Sequence, residues 1–173
     1  MWYKQNNSSR IVKPLHIGIL GFFLMFMSIG GAYAQNCLQY HVENCRWADR
    51  TYLYSRQSRS AGFKPGMSSE FKIVVYAGEE YYISISGHRK LGDIQMRLKE
   101  DDELKTILYD NADFKFETYF YFKNSTSRNL IIEISTPLPD DPDENEKVYC
   151  LGVLIEFRKN IENLDEDGNS IGF

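Results

Sequence analysis

Apolar and polar residues alternate through most of the chain after residue 70, and this period of two predicts β-strands. The clearest run is 114–123, whose phenylalanines fall on one face while its tyrosines and charged residues fall on the other. Shorter runs with strand character lie at 71–76, 81–86, 94–98, 106–109, 130–134 and 148–157. Short turns rich in Gly, Asp and Asn separate several of them, which predicts hairpins.

This pattern contains no convincing helix and predicts an all-β domain. Several short strands at such spacing favour an antiparallel β-sandwich of about six to eight strands, of jelly-roll type, with an up-and-down barrel as the alternative. We place the sandwich at 63–159. The segment 35–62 is irregular, with one short strand at 52–54, and is expected to wrap the sandwich. The polar tail 160–173 is expected to fray.

Residues 1–34 have the features of a signal peptide. They contain three cations and no acid, and an apolar run at 17–31 is followed by Ala32-Tyr33-Ala34, a pattern that signal peptidase accepts. Gln35 is then the new N-terminus. The alternative is a retained membrane anchor, but an apolar run of about fifteen residues is short of the roughly 20 that span a bilayer.

A second alternative is a lipoprotein, because Cys37 lies just after the apolar run. The residues before it are Ala34-Gln35-Asn36, which do not resemble the sequence that precedes a lipid-acceptor cysteine. The sequence therefore predicts a soluble exported protein, periplasmic or extracellular, with no membrane span after cleavage.

Charge narrows the choice of partners. The 139 residues after the signal carry 17 Lys and Arg against 24 Asp and Glu, a net charge of about −7. Such acidity disfavours anionic partners, so no nucleic acid is expected to bind.

The three cysteines all lie after the signal peptide. In an oxidising compartment they predict one disulfide and one remaining thiol. Cys37 and Cys45 are eight residues apart and form the favoured pair, which leaves Cys150 free. Pairing either with Cys150 is the alternative, and it would fasten the N-terminal segment to a late strand. Three scattered cysteines without a histidine cluster do not resemble a zinc site.

Catalysis is not predicted. His41 and His88 are the histidines after the signal, and His88 lies in a basic turn. The chain contains no nucleophile elbow, phosphate-binding loop or zinc-protease helix motif. A pair of carboxylates of the glycosidase type stays open, although a chain of this size leaves little room for a cleft.

Two acidic stretches could supply oxygen ligands to Ca²⁺, at 140–146 and 165–169. The second has its glycine at the wrong position for a calcium loop. Solvated loops are the favoured interpretation of both stretches, so no cofactor or metal is predicted, with Ca²⁺ at 140–146 as the alternative.

Tyrosines form the best candidate binding site. Tyr119 and Tyr121 lie among charged residues on the polar face of a strand, and Tyr52 and Tyr54 have the same spacing. Exposed tyrosines on a sheet can stack on sugars or contact a partner protein. The alternative is that the N-terminal segment or the second sheet covers this face and buries them.

Four stretches carry a resemblance to known proteins: 58–61, 78–85, 108–111 and 150–156. Together they resemble uncharacterised secreted β-proteins of Bacteroidota-type bacteria. The resemblance implies a secreted all-β domain without an established activity. Those relatives often have a cysteine where Ser86 stands, which implies that Cys150 has lost its partner here and favours pairing of the other two cysteines.

A more distant resemblance is to the prepeptidase C-terminal (PPC) type of β-sandwich, an accessory domain of secreted enzymes. It is carried by the Gly-x-x-Tyr strand at 78–81 and the Leu-Tyr-Asp turn at 108–110. The sequence as a whole predicts a non-catalytic interaction or structural module of the cell envelope, whose partner is an envelope or extracellular protein. The alternatives are a carbohydrate-binding module that uses its tyrosines, and a small glycoside hydrolase or its accessory subunit.

Overall fold

The computed structural model describes residues 37–159. The predicted signal peptide and the predicted polar tail lie outside the described residues. Within 37–159, no helix is long and apolar enough to cross a bilayer.

The described chain forms nine strands and one short α-helix. In chain order they are α1 (Tyr40–Asn44), β1 (Leu53–Tyr54), β2 (Arg59–Phe63), β3 (Ser68–Val75), β4 (Glu79–Gly87), β5 (Gln95–Glu100), β6 (Ile107–Asp110), β7 (Tyr119–Asn124), β8 (Arg128–Ser135) and β9 (Tyr149–Lys159). Sheet I has the order β1-β9-β4-β7, with β2 also paired to β9, and sheet II has the order β3-β8-β5-β6. Every pairing is antiparallel, which confirms the predicted all-β sandwich.

The hydrophobic core lies between the two sheets. Alternate residues of each strand point inward, as the period of two predicts. Sheet I contributes aromatic and β-branched side chains from β4, β7 and β9, and sheet II contributes mainly aliphatic ones. The fully buried members with the largest side chains include Tyr81, Ile83, Leu98, Ile132 and Ile155.

The run 114–123 differs from its prediction, because strand β7 begins only at Tyr119. Residues Asn111–Phe114 form a 3-10 turn, and Lys115 and Phe116 follow with φ angles of 56° and 57°, in the left-handed region. Phe114 is therefore 55% exposed, although it continues the apolar alternation of the strand.

The buried side chain of Asn111 explains this turn. Its amide nitrogen donates to the carbonyls of Ile94 and Glu117, and its amide oxygen accepts from the Met96 N–H at 2.8 Å. A buried amide with all of these partners stabilises the turn more than the alternation stabilises an extended strand. Periodicity does not show such a side-chain contact.

Strand β2 was not predicted, since its residues Arg-Ser-Ala-Gly-Phe show no apolar alternation. It forms because one edge of β9 is not occupied by β4 and can pair with another strand. Five consecutive residues pair there, from Arg59 with Val153 to Phe63 with Tyr149. Helix α1 was likewise not predicted. Both lie in the segment 35–62 that the sequence marks as irregular, apart from Phe63 at the end of β2.

Residues 37–52 form an N-terminal cover on the outer face of sheet I. The carbonyl of Arg46 accepts hydrogen bonds from the Tyr82 hydroxyl at 3.0 Å and the Ser84 hydroxyl at 2.7 Å. The N–H of Ala48 donates to Glu156 at 2.7 Å. Polar side chains that would otherwise face solvent on β4 and β9 are thereby buried and satisfied.

The disulfide joins Cys37 to Cys150, so the predicted pairing of Cys37 with Cys45 is wrong. Helix α1 lies between the first two cysteines and packs along β9, which brings the Cα atoms of Cys37 and Cys150 to 5.2 Å. Cys45 is the free thiol and is buried, donating to the carbonyl of Gly152 at 3.2 Å. Burial raises the pKa of this thiol to about 11.

The disulfide closes a loop with a sequence separation of 113 residues. In the chain-entropy account, closing a loop of that size stabilises the folded state by about 5 kcal/mol. The bond therefore fixes the cover to the central part of sheet I, in contrast to the small local loop expected from the sequence.

Gly152 lies where helix α1 of the cover contacts strand β9. A Cβ at this position would lie 2.6 Å from the Cα and 2.7 Å from the backbone nitrogen of His41. Because backbone cannot rotate away, we expect Gly152→Ala to lower the free energy of unfolding by about 2 kcal/mol in urea titration. Limited proteolysis should also cut the cover faster.

Gly62→Ala is the matched control, because Gly62 lies on β2 opposite Cys150. Its added Cβ would meet only a methyl of Val148, a side chain that is 54% exposed and free to rotate. Equal stability of the two variants would contradict the close packing of α1 on β9.

Candidate functional site

The structure gathers three of the four predicted tyrosines into one aromatic cluster on the outer face of sheet I. Tyr119 and Tyr121 come from β7, and Tyr52 comes from the cover. Tyr82 on β4 lies between them, with ring centroids 4.8 Å from Tyr121, 5.7 Å from Tyr119 and 6.2 Å from Tyr52. The strand register causes this arrangement, since Tyr82 is the direct antiparallel partner of Tyr121.

Exposure divides the cluster into a buried floor and an accessible surface. Tyr52 and Tyr82 are 6% and 0% exposed, whereas Tyr121 is 49% exposed and Tyr119 is half-buried. Burial raises the pKa of Tyr82 to about 12 and also raises that of Tyr52. The sequence offered two interpretations, exposed tyrosines or tyrosines buried by the N-terminal segment, and each applies in part. The cover buries Tyr52 and Tyr82, and it leaves Tyr119 and Tyr121 accessible.

Two arginines stack on the cluster. The guanidinium of Arg158 lies 4.5 Å from the Tyr52 ring centroid and forms an ion pair with Glu80 at 2.9 Å, so its charge is already compensated. Arg46 lies 4.2 Å from the Tyr119 ring centroid, is exposed, and has no carboxylate partner among residues 37–159. We call Arg46, Tyr119 and Tyr121 together the tyrosine surface.

Neither Arg46 nor Tyr82 was singled out from the sequence. Tyr82 is in phase with the outer face of β4, but only the register with β7 shows which rings it contacts. Arg46 lies in a segment without periodicity. Its position depends on the two hydrogen bonds that its carbonyl accepts from β4.

A pocket of about 270 Å³ adjoins the tyrosine surface at Arg46. Its polar lining comes from Asn44, Ser86, Asp93 and Thr118, and Phe116 forms part of its apolar lining. Phe116 has its backbone in the left-handed region and lies three residues before β7. Such a mixture of hydrogen-bonding groups and an aromatic ring can hold a polar ligand.

Tyr54 does not join the cluster. It lies on β1, where its hydroxyl is 3.0 Å from Nε2 of His41 and its ring is 6.1 Å from that of Trp47. Nδ1 of His41 is 2.7 Å from the hydroxyl of Ser60, and burial lowers the histidine pKa. These contacts fasten α1 to β1 and β2, which is a structural role.

His88 lies in its predicted exposed turn. Its ring stacks on Tyr149 with centroids 4.7 Å apart, and its Nδ1 accepts the N–H of Lys90. Within the described part of the chain, no carboxylate or nucleophile hydrogen-bonds to this ring. The geometry gives it a stacking role in the turn.

The acidic stretch 140–146 is held by the chain's own cations. Glu144 is 7% exposed and accepts from Lys90 at 3.1 Å, from Lys147 at 3.2 Å and from the Tyr149 hydroxyl. Glu146 pairs with Lys64 at 2.6 Å. Between residues 37 and 159, no group of three or more His, Cys, Asp or Glu side chains is placed to hold a metal ion. The second acidic stretch, 165–169, lies outside the described residues.

Glu144 should make this loop sensitive to acid. Its three donors lower its pKa to about 2, with Tyr149 the largest contributor. A carboxyl group whose pKa is lowered by folding stabilises the protein above its ordinary pKa, and that contribution is lost as the pH falls toward the folded value. We expect the free energy of unfolding to fall between pH 4.5 and 2, and Glu144→Gln to flatten that dependence.

Glu146→Gln is the control from the same loop, since Glu146 is 88% exposed and its single ion pair is solvent-screened. Urea titrations across this pH range compare the three proteins. If both variants follow the wild-type pH dependence, the Glu144 network does not contribute to acid stability.

Comparison with known proteins gives little further information. No protein-family model matches the chain, and no curated protein matches it. One solved structure with some similarity is the periplasmic lysozyme inhibitor PliG of Aeromonas hydrophila, an inhibitor of g-type lysozyme. The two share 8% sequence identity with a TM-score of 0.43, over 65% of this chain and 92% of that one. A likeness at this level supports no assignment of function.

Proposed function

We propose that this chain is a non-catalytic exported module that binds a partner protein, in the cell envelope or outside the cell, through the tyrosine surface. The observation that carries the proposal is the half-exposed ring of Tyr121 on a floor of fully buried tyrosine. Export rests on the predicted signal peptide, and the acidic net charge is consistent with a protein partner that is not strongly anionic.

The buried rings of Tyr52 and Tyr82 restrict the motion of Tyr121 before any partner binds. Tyr121 packs against both Tyr82 and Tyr52, so little rotational freedom remains to be lost when a partner covers it. Arg46 is held by hydrogen bonds to its own carbonyl, while its side chain remains exposed over Tyr119. Tyrosine and arginine are the residue types that most often dominate protein interfaces.

The same surface offers no acid–base chemistry. The hydroxyls of Tyr119 and Tyr121 hydrogen-bond no histidine, carboxylate or thiol within residues 37–159, and the buried Tyr82 has a pKa raised to about 12. A phenol with such a pKa stays protonated near neutral pH. These observations support a binding role.

Tyr121→Ala tests the proposal. Affinity capture of tagged protein, residues 35–173, from native envelope extract should yield a partner that is quantified by mass spectrometry. We expect the variant to recover at least tenfold less of it, because truncating a central interface aromatic costs about 2 kcal/mol or more.

Tyr76→Ala is the matched control, since Tyr76 is another exposed tyrosine, at 56%, outside the cluster. It should recover the partner at the wild-type level. Equal recovery by all three proteins, or no reproducible partner, would contradict binding through the tyrosine surface.

A glycan is the second candidate ligand, and the pocket beside Arg46 is the observation that favours it. Hydroxyl, amide and carboxylate groups next to a flat aromatic ring are typical of sugar sites, in which rings stack and polar groups bind hydroxyls. Thr118 contributes one such hydroxyl to the pocket lining.

Thermal unfolding with a panel of soluble oligosaccharides, including peptidoglycan fragments, tests this candidate. A true ligand at ten times its Kd should raise Tm by about 4 °C. Thr118→Val removes the hydroxyl at nearly constant volume and should halve that shift or more. A panel that leaves Tm unchanged would exclude the sugars it contains and leave the protein partner as the ligand class.

A further inference from the structure

An open groove lies between β2 of sheet I and β3 of sheet II, where the two sheets have adjacent edges. It has a volume of about 220 Å³, and Ile134, Leu151 and Val153 are among the residues that line it. The groove exists because Ala61 and Ser69, at inward positions of the two edge strands, are small. At the other inward positions these strands carry larger side chains.

The edge of β3 beside this groove has unpaired backbone groups. β3 pairs only with β8, and in an antiparallel pair alternate residues direct their N–H and C=O groups away from the partner strand. Val74 is one of these residues, since both groups bond to the Gln57 side chain. By the same alternation, Lys72 and Glu70 also point outward, and their backbone groups have no partner within residues 37–159.

The Gln57 side chain already pairs with one outward residue of the β3 edge. Its carboxamide donates to the Val74 carbonyl at 2.9 Å and accepts from the Val74 N–H at 2.7 Å. A peptide group of an added strand offers the same donor and acceptor. The edge of β3 thus already holds one amide in ladder geometry, and the next two outward residues, nearer the groove, are open.

The charged side chains beside the groove indicate which charge a partner should carry. Glu70 pairs with Lys105 at 2.9 Å and Lys72 pairs with Asp101 at 2.8 Å, so these charges are compensated. Arg59 is exposed, stacks 4.5 Å from the Phe71 ring centroid, and has no carboxylate partner within the described chain. A ligand with an acidic side chain would complement it.

We propose that an extended segment of a partner protein adds to this edge as a fifth strand of sheet II. Its backbone pairs with Lys72 and Glu70, one apolar side chain enters the groove between Ala61 and Ser69, and an acidic side chain meets Arg59. The two tyrosines of the tyrosine surface lie on β7, at the opposite edge of sheet I. This second site therefore does not depend on the proposed role of the tyrosines.

The probe is a library of random 12-residue peptides displayed on phage and selected on residues 35–173. We expect selected peptides to combine an acidic residue with an apolar one and to bind wild-type protein. Lys72→Pro removes the outward N–H and tolerates the extended backbone of an edge strand, so it should weaken binding at least tenfold. Lys72→Ala keeps the N–H and should bind within about twofold of wild type.

Two further measurements separate strand addition from other binding. Ser69→Leu fills the groove without touching the ladder and should also weaken binding at least tenfold, and hydrogen exchange should show the amides of Glu70 and Lys72 protected only with peptide bound. Tyr121→Ala should bind the peptides normally, so failure here is distinguishable from failure of the tyrosine surface.

Four results would overturn the proposal: no enriched peptide, undiminished binding by a folded Lys72→Pro variant, no protection of the two amides, or peptides that need Tyr121. A dimer in light scattering that Lys72→Pro abolishes would show instead that a second copy of this chain occupies the edge. Wild-type Tm for Lys72→Pro confirms that the variant is folded.

Discussion

Strand β9 is the element on which the remaining structure depends, because it pairs with β1, β2 and β4 and also carries the N-terminal cover. Its inner residues belong to the core, while its outer residues include Cys150, Gly152 and Glu156, each of which holds the cover by a different interaction. Covalent bond, close backbone contact and hydrogen bond act within seven residues. Strand β9 therefore links the core to the cover directly, as β4 also does through the Tyr82 and Ser84 hydroxyls.

The cover converts a polar sheet face into a support for exposed rings. Tyr82 would be a solvent-facing tyrosine on a two-layer sandwich, but the Arg46 carbonyl binds its hydroxyl and Tyr52 packs on its ring. Burial of these groups costs free energy unless each has a partner, and the cover supplies the partners. Tyr121 packs on these two buried rings. Its ring therefore has less freedom to rotate than an isolated tyrosine exposed on a sheet.

Periodicity was enough to predict the sandwich, because inward residues of β4, β8 and β9 repeat every second position and that repeat is what forms the core. It failed where a single polar side chain decides the backbone, as with Asn111, and where a strand forms only because a neighbour offers an edge, as with β2. Two of the candidate tyrosines, at 119 and 121, could be placed on an outer face from sequence. Their contact with Tyr82 could not, because a ring pair across strands depends on register.

The pairing of the cysteines constrains the order in which the chain can be completed. Cys37 and Cys45 are the nearest thiols in the unfolded chain, and a short loop closes at lower entropic cost than a long one. The partner in the folded protein, Cys150, belongs to β9, the last strand of the described residues 37–159. Oxidation of the unfolded chain would therefore favour the local pair, whereas the folded arrangement bonds Cys37 to Cys150 and buries Cys45 against the Gly152 carbonyl. The native disulfide thus needs β9 in place on sheet I, because Cys150 belongs to that strand.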